Sequence, residues 1–188
     1  MMKIIELIRI GDVEQSILRR LKDNLDKSFK SLDMSIKINR DEIQLEKAEF
    51  NSERSQYNAD KILKRIIKLT KAHKSFRILG VIDKDLYSEP LNFVFGIAIK
   101  PTKQISGVPI VSLISITRLR EQFYNKPENN ELFELRVLKE AVHELGHTFS
   151  LEHCNKFCIM RFSNSLKDTD KKPVQFCESC VKKVIKFL

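Results

Sequence analysis

The sequence predicts an α/β fold. Three observations carry that prediction: an alternating apolar opening followed at once by helical periodicity, several later runs of β-branched and aromatic residues, and one long apolar stripe at helical spacing in the last third. Residues 2–10 alternate apolar and charged positions, the period-two pattern of a strand, and Asp12 is placed to cap a helix reaching about residue 29. Residues 35–43 read as a second strand. The polar stretch 46–57 reads as a loop, after which Asn58 or Asp60 starts a helix whose Ile62, Leu63, Ile66, Ile67 and Leu69 turn one face to the sheet. Runs 76–82, 92–99 and 109–116 have strand composition, with a turn region at 83–90 between the first two.

From Asn130 the pattern changes. Leu132, Leu135, Leu138, Val142 and Leu145 recur at helical spacing in a segment free of glycine until Gly146, which predicts a helix. Beyond it the periodicity fades into a loop, and a short helix is expected over residues 180–187. A chain of 188 residues holds one domain with a sizeable core but not two ordinary enzyme domains. Hydrophobic residues at 42% and charged residues at 31%, with five Gly and five Pro, exclude a disordered or fibrous chain. No apolar run approaches the roughly 20 residues of a membrane span, and charge interrupts the opening too early for a signal peptide. A cytoplasmic protein without membrane contact is expected.

Thirty-four Lys and Arg against 25 Asp and Glu leave a formal charge of +9. Such a balance points to nucleic acid when it is concentrated on one face. Here the lysines are scattered among acids from Lys3 to Lys186, so a solvated basic surface is expected and nucleic acid is the minor reading. The four cysteines are instead clustered between Cys154 and Cys180. Their spacings, Cys-x3-Cys and then Cys-x2-Cys, suit tetrahedral zinc held by Cys154, Cys158, Cys177 and Cys180; two disulfides or unconnected buried thiols are the alternatives.

Three of the four histidines lie in His143-Glu144-Leu145-Gly146-His147-Thr148-Phe149-Ser150-Leu151-Glu152-His153. In this composition a chance His-Glu-x-x-His arises roughly 0.007 times per chain, and the third His lowers that to about 10⁻⁴. On a helix His143 and His147 differ by only about 40° and about 6 Å, so both imidazoles can reach one ion. Glu144 is turned off that row, where its carboxylate can hold a water beside the metal as a general base. A continued helix would leave His153 about 240° from His147, so the helix must stop and the chain reverse near Ser150 for a three-histidine zinc site with an open fourth position. His73, outside this set, is expected to be exposed and without a role.

These residues resemble a known family. His-Glu-x-x-His-x-x-Gly-x-x-His followed by a methionine turn is the metzincin pattern, and the cysteine pairs around Met160 make the chain similar to the archaemetzincins. The segments Arg54 to Tyr57 with Ala59, Gly80 to Tyr87, and Asn92-Phe93-Val94-Phe95-Gly96 look like family segments too, so the resemblance covers about residues 50–181. It implies a metzincin-like fold: a twisted mixed sheet of about five strands with two backing helices, the active-site helix, and a small loop-rich C-terminal subdomain. One catalytic domain is expected, with residues 1–149 ending in the active-site helix and residues 150–188 organised by a structural zinc. The resemblance also implies a zinc-dependent peptidase that hydrolyses a peptide or protein substrate aligned along strand 92–99, with Met160 as the apolar floor beneath the catalytic zinc. Two zinc ions per monomeric chain are expected.

Three departures from the family pattern are visible. Ser150 stands where the family usually has Gly, at a strain of about 1 kcal/mol or more if its backbone is left-handed. The intervals from Cys154 to Cys158 and from Met160 to Cys177 are each one residue shorter than usual. Because His153 and Cys154 are adjacent but assigned to different ions, the cysteine-bound zinc is expected to fix the third imidazole. The rival reading is a catalytically inactive zinc-stabilised binding module, with nucleic acid as its partner, in which Ser150 has cost the chain its site.

Overall fold

The computed structural model describes residues 3–101 and 107–188. Its main sheet has five strands in the order β2-β1-β5-β8-β7, formed by β1 (Lys3–Ile10), β2 (Met34–Ile43), β5 (Arg77–Ile82), β7 (Gly96–Ala98) and β8 (Ile110–Ser115). The first four run parallel, and β7 lies antiparallel to β8 at the edge. A smaller three-stranded sheet joins β3 (Phe50–Asn51), β4 (Gln56–Asn58) and β6 (Leu86–Tyr87). Every residue of β5 and β8 is buried, as expected for central strands covered on both faces.

The strand alternation divides the core. Ile5, Leu7, Leu79, Val81 and Ile114 face α1 (Gln15–Phe29) and α3 (Asn130–Thr148), whereas Ile8, Ile10, Ile78, Ile82, Val111 and Leu113 face α2 (Ala59–Thr70). Asn58 caps α2 by accepting from the Lys61 N–H at 3.0 Å. Two short helices follow α3: α4 (Leu166–Lys171) and α5 (Glu178–Phe187). Arg77 pins the far end of α3 to this arrangement. Its buried guanidinium lies 3.8 Å from the Phe76 ring centre and 4.9 Å from that of Phe149, while Nε donates to Thr148 Oγ1 at 3.1 Å; burial lowers its pKa to about 9.

Several sequence expectations change in detail. Asp12 does not cap α1, which starts at Gln15 after Glu14 with no side-chain cap. The stretch read as a loop contains a one-turn helix at Lys47–Glu49 and the β3-β4 pair. Strand 92–99 shrinks to Gly96–Ala98, because the backbone before it is used irregularly: Asn92 O accepts from Gln56 Nε2, and the Val94 N–H donates to Leu86 O. His73 is not free in solvent, since its Nδ1 lies 2.9 Å from Glu6 Oε2. No described helix is long and apolar enough to cross a membrane.

Candidate active site

The site is built on the buried half of α3. Asn129 caps this helix by accepting from the Leu132 N–H at 3.0 Å, and from Arg136 onward nearly every side chain is enclosed between the sheet and the C-terminal segments. That two-sided burial sets His143, Glu144 and His147 in a rigid wall. The helix ends where Ser150 takes φ 64°. The Ser150 N–H donates to His147 O at 2.9 Å and the Leu151 N–H to Gly146 O at 3.2 Å, the paired bonds of a Schellman turn. Ser150 thus makes the left-handed turn for which glycine is better suited, and the chain reverses as expected.

The reversal returns His153 to the other two imidazoles. Ring centres are 4.8 Å apart for His143 and His147, 5.0 Å for His147 and His153, and 5.4 Å for His143 and His153. Nδ1 of His143 lies 2.9 Å from Ile159 O and Nδ1 of His147 lies 2.8 Å from Leu151 O. A carbonyl oxygen only accepts, so each Nδ1 carries the proton and each Nε2 presents a lone pair. Burial holds His143 well below the usual imidazole range and lowers His147 and His153 too, which favours the neutral ligand form.

Those lone pairs make a direct test of fit for a cation. The Nε2 atoms of His143 and His147 are 3.2 Å apart with no proton to share, an arrangement that repels unless a positive ion lies between them. Tetrahedral zinc with ordinary Zn–N bonds requires a ligand separation of about 3.3 Å. One ligand atom from each of the three histidines falls within 4.8 Å of the others. The cysteines pass the same test: the ligand atoms of Cys154, Cys158, Cys177 and Cys180 also lie within 4.8 Å of one another, and the Cys154 and Cys177 sulfurs are 3.8 Å apart. Tetrahedral zinc–thiolate geometry gives about 3.8 Å, whereas a disulfide needs about 2.05 Å. Burial tends to raise the Cys177 thiol, but hydrogen bonds from Ser179, Cys180 and Cys158 outweigh it and bring its pKa to about 6.

Glu144 lies beside the imidazoles, with its side chain against Gly96 of β7. Burial, reinforced by Glu140, holds its carboxyl well above the usual range, while Lys172 pulls the other way. A cleft of about 620 Å³ runs past this group, lined by Gly96–Ala98 of the edge strand, the three histidines and Phe162. Phe162 meets the His153 ring at 4.9 Å between centres. Met160 is fully buried against Gly146, where an added β-carbon would lie 2.3 Å from its sulfur. At one end of the cleft, Lys100 donates to Glu152 and ties the edge strand to the segment carrying His153.

Sequence reasoning did not find Glu140, Lys172, the Lys100–Glu152 bridge or the role of Gly96. Lys172 reaches the cleft because α4 is latched to α3: Arg136 makes a two-pronged contact to Asp170 at 2.7 Å, and Lys139 Nζ donates to Thr169 O and Asp170 O. Nothing in local periodicity reports such a long-range latch.

A mixed sheet beside a histidine-bearing helix, with a third imidazole returned by a chain reversal, defines a metzincin-like fold. The chain belongs to peptidase family M54, whose family model matches residues 2–186. It is 45% identical over 117 residues to an archaemetzincin of Pyrococcus furiosus, a match covering 62% of this chain and 57% of that relative. The chain therefore matches little more than half the length of that relative. Among solved structures, it is similar to the archaemetzincin of Archaeoglobus fulgidus complexed with malonate, with a TM-score of 0.75 and 33% identity over 95% of this chain and 99% of that one. It is also similar to a zinc-dependent peptidase from Methanocorpusculum labreanum, with a TM-score of 0.80 and 27% identity, covering 96% of this chain and 99% of that one.

Proposed function

We propose that this chain is a zinc-dependent peptidase in which His143, His147 and His153 hold a catalytic zinc and Glu144 is the general base. The observation that carries the reading is the pair of unprotonated Nε2 atoms facing each other at 3.2 Å, with a third imidazole and a buried carboxyl beside them. Zinc bound there would supply Lewis acidity and lower the pKa of a water. Glu144 accepts a proton from the attacking water on its carboxylate and passes it to the leaving amide nitrogen. Gly96–Ala98 offers the outer edge of β7 to an extended peptide or protein substrate by strand addition.

Cys154, Cys158, Cys177 and Cys180 hold a second, structural zinc in this reading, and Met160 floors the histidine site. Residues 1–149 and 150–188 then form one catalytic unit, the second part organised around the cysteines. The convergence of all three imidazoles supports this reading over the inactive module, in which Ser150 spoils the turn.

The test combines metal content with one substitution. Zinc-edge anomalous scattering should show two ions per chain, and Glu144→Gln should keep both while peptide hydrolysis is lost. Hydrolysis by Glu144→Gln at the parent rate rejects the base assignment. A single ion at the cysteines in active protein rejects the three-histidine centre.

A further inference from the structure

Two residues that line the cleft, Lys172 and Ser163, each carry a polar atom, Nζ and Oγ, that is sealed from solvent and makes no hydrogen bond among the described residues. Lys172 is 3% exposed. Its Nζ lies 3.1 Å from Glu140 Oε1, close enough for charge attraction without an aligned hydrogen bond, and Glu140 Oε1 is also engaged by the Thr169 hydroxyl at 3.1 Å. An ammonium group carries three donors, and leaving them unfilled in a buried place is costly. Both atoms can donate, and both belong to residues that line the space a substrate would enter.

We propose that Lys172, assisted by Ser163, forms a subsite for an acidic side chain, Asp or Glu, next to the scissile bond. The position follows from the helix. Glu140, the ion-pair partner of Lys172, precedes His143 by three residues and Glu144 by four, so it lies about one turn, roughly 5 Å, along the same wall from the reacting groups. One side chain spans that interval. A carboxylate entering there takes charge-assisted hydrogen bonds from Lys172 and a bond from the Ser163 hydroxyl, whereas an apolar side chain leaves both donors empty. A neutral amide supplies an acceptor oxygen without the charge. Glu140 works against the incoming anion, so the subsite is a tuned one, and removing that carboxylate strengthens the preference.

This inference rests on the peptidase reading but is testable apart from it. Matched peptides carrying Glu, Gln or Leu at each position within two residues of the scissile bond are compared with the zinc-loaded chain. The expected result is a preference of about tenfold or more in kcat/KM for Glu at one such position. It should be lost in Lys172→Met, kept in Lys172→Arg, and increased in Glu140→Gln. Because Lys172→Met leaves Glu140 buried without its cation, the double variant Glu140→Gln/Lys172→Met provides a charge-balanced counterpart that should also lack the preference.

The same peptides are titrated onto zinc-loaded Glu144→Gln, where binding is read without turnover. Glu-selective binding that disappears with Lys172→Met in that background supports the subsite even if no peptide is ever cleaved, an outcome that would reject only the peptidase reading. Equal binding of Glu, Gln and Leu peptides, or a Glu preference unchanged in the folded Lys172 variants, overturns the subsite.

Discussion

Gly96 of the edge strand is the surface against which the Glu144 side chain rests. A β-carbon at position 96 would lie 2.5 Å from Glu144 Cγ and 2.9 Å from both its Cδ and the Leu113 carbonyl oxygen. The Leu113 backbone is held in the sheet whereas the Glu144 side chain borders the cleft, so Gly96→Ala should push Glu144 out of line. The expected result is a fall in kcat of about 100-fold, the scale of a misplacement near 1 Å, with zinc content unchanged. Steady-state kinetics beside metal analysis decide it: full activity in Gly96→Ala means the carboxyl's position is not set by this contact.

Ser150 presents the opposite case, a residue with a side chain where the backbone favours none. At φ 64° it completes the turn that returns His153 to the site. Ser150→Gly should therefore stabilise the chain by about 1 kcal/mol, offset in part by the greater freedom glycine has when unfolded. Chemical unfolding of the two proteins measures the difference. A destabilised glycine variant would show that the serine side chain makes a compensating contribution.

The histidine cluster was legible in the sequence because a helix has a fixed period. His143 and His147 share a face at a spacing of four, and the same arithmetic forced a reversal before His153. The central strands were legible for a similar reason, since β5 and β8 are buried along their whole length and are mostly apolar, with Arg77, Ser112 and Ser115 as the exceptions. Strand 92–99 was not, because only three of its residues pair with β8 while its first half spends its backbone groups on Gln56 and Leu86. Lys172 was invisible for a different reason. Its place in the cleft depends on Arg136 and Lys139 capturing α4 across about thirty residues of chain, and charged side chains carry no periodic signature of their buried partners.

Glu144 also imposes a pH dependence on the metal-free chain. Its folded pKa is raised above 4.5, so the folded state holds a proton that the unfolded state has already released, and stability is lost as pH rises from 4.5 through the folded value. The metal-free Glu144→Gln variant should be more stable than the parent at neutral pH, by about 1 kcal/mol or more, with the advantage shrinking toward pH 4.5. The three imidazoles act with the opposite sign: their folded values are lowered from 6.5, so the unfolded state binds more protons and stability falls as pH drops below 6.5. Urea unfolding of chelator-treated protein across this range separates the two effects. A pH-independent difference between parent and variant would show that the Glu144 proton is not involved.

The cysteine cluster touches the histidine site at both ends, which makes a coupling between the two proposed metal sites testable. Cys154 follows His153 directly, and its N–H donates to Met160 O at 2.9 Å. At the other end, the Cys177 N–H contacts Cys158 Sγ at 3.2 Å, and Cys158 precedes Ile159, whose carbonyl fixes the His143 ring at 2.9 Å. Loosening the sulfur cluster therefore frees the backbone that orients two of the three imidazoles. Replacing Cys177 and Cys180 by Ser should lower zinc affinity at the histidines by about 10- to 100-fold, the usual effect of losing groups that orient ligands. Competition with a chromogenic chelator gives that affinity, while circular dichroism establishes that the variant retains its helices. A folded variant that binds zinc at the histidines as tightly as the parent would show that the Schellman turn at Ser150 alone is enough to hold His153 in place.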